Sequence, residues 1–166
     1  MRKLILVPAA VSSLRIAALP IFILLYNMGN VVLCLVLLVV CAASDFFDGY
    51  AASKLGVATR FGAYFDASTD FALTGGIFSF FCIQGFYPFW LPILIAAAFA
   101  QFLVTSFIAR KLYDPVGRYL GSALYIGIVL TLLWPIQPVF VFVEVAFVLF
   151  FAVSVVSRVV SFTRKK

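Results

Sequence analysis

The chain has 166 residues, of which 66% are hydrophobic and only 11% charged, with a net charge of +6. A soluble domain carries roughly 45–50% apolar and about 25% charged residues, so the composition excludes an ordinary water-soluble fold. It contains no histidine, which removes the commonest zinc ligand and proton shuttle and leaves carboxylates, Arg, Lys, hydroxyls and a metal to carry any chemistry.

A helix crosses the hydrocarbon of a bilayer in about 20 residues. Six apolar segments reach or approach that length, at about 4–27, 31–53, 61–84, 89–112, 119–136 and 138–161. Strands alternating between polar and apolar are absent, so helices are expected rather than a barrel. The separators carry turn residues: NMGN at 27–30, KLGVATR at 54–60, GFYP at 85–88, YDPVGR at 113–118 and PIQP at 135–138. The expected fold is an all-α integral membrane protein with six transmembrane helices in one domain spanning 1–166.

The first helix is preceded by Arg2 and Lys3 and carries Arg15 inside its apolar stretch, where it could face either a pocket or the neighbouring headgroups. Lys54 and Arg60 bracket the second loop; Arg110, Lys111 and Arg118 flank the fourth; Arg158, Arg164, Lys165 and Lys166 close the chain. The other loops contain neither Lys nor Arg. Basic residues stay on the cytoplasmic side, so both termini and the loops at 54–60 and 113–118 are expected there. Cys34, Cys41 and Cys82 sit in apolar stretches without CxxC spacing and read as small buried hydrophobes.

Four of the six acidic residues fall in the second and third segments. Asp45 and Asp48 are three apart near the end of the second; Asp66 and Asp70 are four apart near the start of the third. Each pair shares one helix face. An Asp at the centre of a membrane helix costs roughly 2.5–3.5 kcal/mol, against about 0.3–0.6 kcal/mol returned by a Leu. Four carboxylates at such cost call for a neutralising partner. A hard divalent cation with oxygen ligands is the natural one, and a metal pair stabilises both the attacking and leaving oxygens of a phosphoryl displacement. Small residues beside the acids (Gly49, Ala52 and Gly62) leave room for a ligand or for close helix approach. Gly75 and Gly76 read as a bend or a close packing site.

The acids form a longer pattern: Asp45-x-x-Asp48-Gly49-x-x-Ala52-Ser53, eight residues, then Gly62-x-x-x-Asp66-x-x-x-Asp70. This string resembles the signature of the CDP-alcohol phosphotransferases, integral membrane enzymes of phospholipid synthesis. SSLRIAALPIF at 12–22 is similar to the first-helix segment common in that family. The resemblance implies a six-helix fold and transfer of the phospho-alcohol group of a CDP-linked lipid to an acceptor hydroxyl, with release of CMP. By the same resemblance, Asp45, Asp48, Asp66 and Asp70 would hold Mg²⁺ or Mn²⁺, expected as two ions. Asp70 would also be the general base. The nucleotide would lie against Gly49, Ala52, Ser53, Lys54, Arg60 and Gly62.

Where the family carries Arg after the alanine, this chain has Ser53, followed by Lys54. Lys54 or Arg60 would then supply the positive charge, and a low-activity member of the family is the reading if neither does. Arg110 and Arg118 suit a phosphorylated acceptor, such as glycerol 3-phosphate or inositol phosphate. Expected partners are a CDP-linked lipid, whether diacylglycerol or ether-linked, a small alcohol, membrane lipids and a second copy of the chain, but no nucleic acid. The site is expected at the cytoplasmic face of a bacterial or archaeal plasma membrane. A cation-coupled transporter is the alternative, since intramembrane acids also mark ion paths; clustering of the acids near one face argues against it. Glu144, in the last segment, reads as a structural hydrogen bond or a dimer contact.

Overall fold

The computed structural model describes the backbone of residues 2–54, 60–108 and 119–163, and the side chains of 15–44, 62, 64–106 and 119–157. Among the described residues there are six helices and no strand: α1 (Arg2–Asn27), α2 (Val31–Lys54), α3 (Arg60–Ile83), α4 (Trp90–Ile108), α5 (Leu120–Leu133) and α6 (Gln137–Thr163). They divide into two compact units, Met1–Ile77 and Phe78–Lys166.

Two of the expected turns end their helices in the same way. After α1, Asn30 N–H donates to the Leu25 carbonyl and Gly29 N–H to that of Tyr26. After α3, Phe86 N–H donates to Phe81 and Gly85 N–H to Cys82. This paired pattern satisfies the last carbonyls of a helix and needs a left-handed residue. Gly29 and Gly85 provide it, with φ of 73° and 80°. Phe86 then folds back on Phe81, their ring centroids 5.8 Å apart.

One expected boundary differs. Hydropathy carries the fifth segment over 119–136, but α5 stops at Leu133. Pro135 disfavours helical backbone at the residue before it, and Trp134 takes φ −134°, ψ 80°.

In the first unit, α1 and α2 pack as an antiparallel pair. Cys34 Sγ points to the Phe22 carbonyl at 3.8 Å, which fixes the register across the short turn. The buried positions are Arg15, Ala18 and Phe22 on α1, and Cys34, Leu38 and Cys41 on α2. Each set recurs every three or four residues, the spacing of one helix face. Carrying the register two turns from the Phe22–Cys34 contact brings Arg15 opposite Cys41. α3 approaches α1 closely at Gly76: a Cβ there would lie 2.6 Å from Leu19 Cδ2 and 3.0 Å from Cδ1. The expectation of close packing at this glycine is met.

The second unit is built on rings. Phe78 meets Phe147 edge-on at 5.3 Å and Tyr87 at 5.6 Å, and Phe86 stacks on Phe140 at 5.0 Å. Gly127 on α5 lies beneath this cluster, where a Cβ would be 3.1 Å from both Phe147 and Phe78. Thr131 Oγ1 donates to the Gly127 carbonyl at 2.7 Å, so its single proton is used and Tyr87 donates the 2.6 Å bond between the two hydroxyls. Burial pushes the Tyr87 hydroxyl up to about 12; the Thr131 bond opposes that shift, and Glu144 and Cys82 add to it. Tyr87 therefore stays a donor at neutral pH. Glu144 thus acts on the Tyr87 and Cys82 end of this unit. Buried stripes on α4 (Leu91, Ile95, Ala98, Phe102, Ser106) and α6 (Phe140, Val143, Phe147, Ser154) complete the core.

The outer faces are apolar as well. Leu24, Val32, Val39, Ile93, Ile126 and Leu149 are all exposed. Such a surface suits lipid rather than water. One helix stretch, Gln137–Ser157, is long and apolar enough on its own to cross a membrane; Arg15–Asn27, Val31–Ser44, Trp90–Ser106 and Leu120–Leu133 are shorter apolar stretches among the described residues.

Candidate active site

Asp66 and Asp70 lie one turn apart on α3 and both are half-buried. The hydroxyls around them are turned onto the helix backbone. Thr69 Oγ1 donates to the Asp66 carbonyl at 2.9 Å, Thr74 Oγ1 to the Asp70 carbonyl at 2.9 Å, and Ser68 Oγ to the Tyr64 carbonyl at 2.8 Å. Bonds of this kind let Ser and Thr be buried in a helix interior without a tertiary partner. Thr69 and Thr74 are indeed buried. Gly62 is half-buried one turn before Asp66, on the same helix.

The remaining expected site residues divide into two groups. Positions 45, 48, 49, 52, 53 and 54 lie within helical α2, and Arg60 opens α3. The side chains of Asp45, Asp48, Ala52, Ser53, Lys54 and Arg60 are outside the described residues, as is any side-chain environment of Gly49. Arg110 and Arg118 lie wholly outside them. By helical spacing alone, positions 45 and 48 extend the stripe that Cys34, Leu38 and Cys41 begin on α2. Among the described residues no group of three or more His, Cys, Asp or Glu comes together. The two carboxylates of α3 are therefore the described part of the expected four.

Their donor chemistry fits the metal that the resemblance implies. Asp66 and Asp70 offer hard carboxylate oxygens from one face, as Mg²⁺ and Mn²⁺ prefer. Asp70 Oδ1 is shielded from water, a position in which a carboxylate gains most from a nearby cation.

The structure also decides the burial of Arg15. Arg15 was open to a headgroup or a pocket, yet it is only 2% exposed. Cys41, itself buried, lies within electrostatic reach of both Arg15 and Asp70. A guanidinium removed from water and lipid headgroups costs several kcal/mol unless anions lie near it. The signal in the sequence was its position, the single basic residue well inside an apolar segment. Its direction required the α1–α2 register.

The family model for CDP-alcohol phosphatidyltransferase matches residues 5–160. The chain belongs to the CDP-alcohol phosphatidyltransferase family. It is accordingly a transferase of substituted phosphate groups, working in phospholipid synthesis. Among curated relatives, a CDP-diacylglycerol–glycerol-3-phosphate 3-phosphatidyltransferase from Pectobacterium atrosepticum is 25% identical over 128 residues, covering 75% of this chain and 70% of the relative. The protein of the same name from Yersinia enterocolitica gives the same identity and coverage. That from Rickettsia typhi is 41% identical over a shorter stretch of 64 residues, 37% of this chain and 36% of the relative. No solved structure gives a significant match. The family match gives the transporter alternative no support.

Proposed function

We propose that the chain transfers the phosphatidyl group of CDP-diacylglycerol to glycerol 3-phosphate. The observation that carries this reading is the half-buried Asp66–Asp70 pair on α3, at family spacing, in a chain whose curated relatives bear the name of that reaction. The acceptor hydroxyl oxygen attacks the phosphorus bonded to diacylglycerol, the bond from that phosphorus to the CMP oxygen breaks, and CMP leaves. Asp70 takes the hydroxyl proton, a role that suits a positioned carboxylate within hydrogen-bond reach of the attacking oxygen. A bound Mg²⁺ or Mn²⁺ pair would supply charge stabilisation on the transferring phosphate. Asp45, Asp48, Asp66 and Asp70 would hold it. Gly49, Ala52, Ser53, Lys54, Arg60 and Gly62 would border the nucleotide, and Arg110 and Arg118 would receive the acceptor phosphate.

Several features support the setting. The family match over residues 5–160 supports one domain. Alternating basic loops support six crossings, with both termini and the site on the cytoplasmic side. α5, at 14 residues, spans about 21 Å at 1.5 Å per residue and would cross with help from the flanking Tyr119 and Trp134. A homodimer belongs to the same reading.

The test is CMP release by the purified chain, given CDP-diacylglycerol, Mg²⁺ or Mn²⁺, and separately glycerol 3-phosphate, inositol phosphate and serine. Release with glycerol 3-phosphate is expected. Release with another acceptor alone would overturn the acceptor, and no release with any would overturn the transferase reading.

A further inference from the structure

Three observations within the first unit place Arg15 relative to Asp70. The α1–α2 register set by Phe22 and Cys34 carries Arg15 to Cys41. Cys41 lies within electrostatic reach of both Arg15 and Asp70. One turn beyond Arg15, Leu19 fills the place where a Gly76 Cβ would be, six residues beyond Asp70. Both points of approach advance together along α1 and α3, so the two helices run in the same direction here. Helical side chains lean toward the N-terminus of their own helix. That tilt aims Arg15 away from the Leu19–Gly76 contact and toward the level of Asp70.

We infer that Arg15 is a positioning residue of the transferase. Its guanidinium is a fixed positive charge at the closed, apolar end of the carboxylate site, and it holds the Asp70 carboxylate in place for the acceptor hydroxyl. The inference rests on the transferase reading above. Its chemistry has a sign that a packing role lacks. A cation near a divalent-metal site opposes metal binding, so removing it should tighten the metal while slowing turnover. Loss of a merely structural contact would loosen the site and weaken the metal.

The experiment uses the full chain in detergent, with Mn²⁺ binding followed by electron paramagnetic resonance and turnover by CMP release. Arg15→Gln is expected to tighten Mn²⁺ by about threefold or more. It should lower kcat by about tenfold or more, with the KM for the CDP-lipid within about twofold of the unmodified chain. Arg15→Lys keeps the charge but loses the planar fork. It should leave Mn²⁺ affinity within about twofold and give an intermediate kcat. Weaker or unchanged Mn²⁺ binding in Arg15→Gln, or an unchanged kcat, would overturn the inference. So would a loss confined to the KM for the CDP-lipid, which would make Arg15 a donor contact instead. If Arg15→Gln does not fold, the Lys variant decides: full kcat or altered Mn²⁺ affinity rejects the positioning role. If the unmodified chain releases no CMP, the transferase reading fails, and the Mn²⁺ comparison alone decides Arg15.

Discussion

Gly76 offers the sharpest test of how α1 and α3 are held together. Replacing it with Ala puts a methyl group 2.6 Å from Leu19 Cδ2, 3.0 Å from Cδ1 and 3.4 Å from Cγ. Turning the Leu19 tip moves one methyl group away but leaves the branch point close, so the helices must separate or Leu19 must leave its rotamer. Overpacking of this kind costs about 1–3 kcal/mol. Against it stands the helix preference for Ala over Gly, about 0.8–1 kcal/mol. The net for Gly76→Ala is a loss of about 1 kcal/mol, or roughly 2–4 °C in Tm for a chain of this size. In a Leu19→Ala background the clash is gone and only the helix preference remains, so the same substitution should stabilise by about 0.8 kcal/mol. The coupling between the two positions is then about 2 kcal/mol. The assay is a double-mutant cycle by thermal unfolding in detergent. A Gly76→Ala substitution that changes stability by the same amount in the native and the Leu19→Ala backgrounds would refute the close approach. Because Arg15 is one turn from Leu19, Gly76→Ala should also lower CMP release more than its stability loss alone explains.

Further expectations concern the site and the ring cluster. Asp70→Asn should cut kcat by about 10²–10⁴-fold as the general base is lost, and chelation with EDTA should abolish CMP release in the unmodified chain until Mg²⁺ or Mn²⁺ is restored. Tyr87→Phe removes one hydroxyl but leaves Thr131 bonded to Gly127, so unfolding should show a loss of only about 0.5–1.5 kcal/mol and kcat should not change. Gly127→Ala meets two ring edges at 3.1 Å rather than a flexible tip. Thermal unfolding should therefore register a loss at least as large as for Gly76→Ala, about 1–2 kcal/mol once the helix preference for Ala is subtracted.

Much of this protein is written in short-range pattern. Apolar runs, separated by glycine, proline and basic residues, give six helices because helix length and turn chemistry are local properties. Gly29 and Gly85 close their helices through backbone conformation that neighbouring residues scarcely influence. The pairing of Asp66 with Asp70 on one face follows from helical spacing, and the family follows from the string that contains them. The end of α5 was misplaced because hydropathy runs on through Trp134 and Ile136, while the backbone obeys Pro135.

Composition and spacing pointed to an all-helical chain with Asp66 and Asp70 on one face of its third helix, since burial cost and periodicity can be counted along a sequence. They left Arg15 open, because an isolated basic residue in an apolar segment can reach for headgroups or for buried anions. Tertiary structure decided it. The contact of Cys34 with Phe22 sets which turn of α1 faces which turn of α2, and Leu19 against Gly76 sets α1 against α3. Register between helices depends on contacts between residues distant in the chain, and those contacts leave Arg15 buried and within electrostatic reach of Cys41.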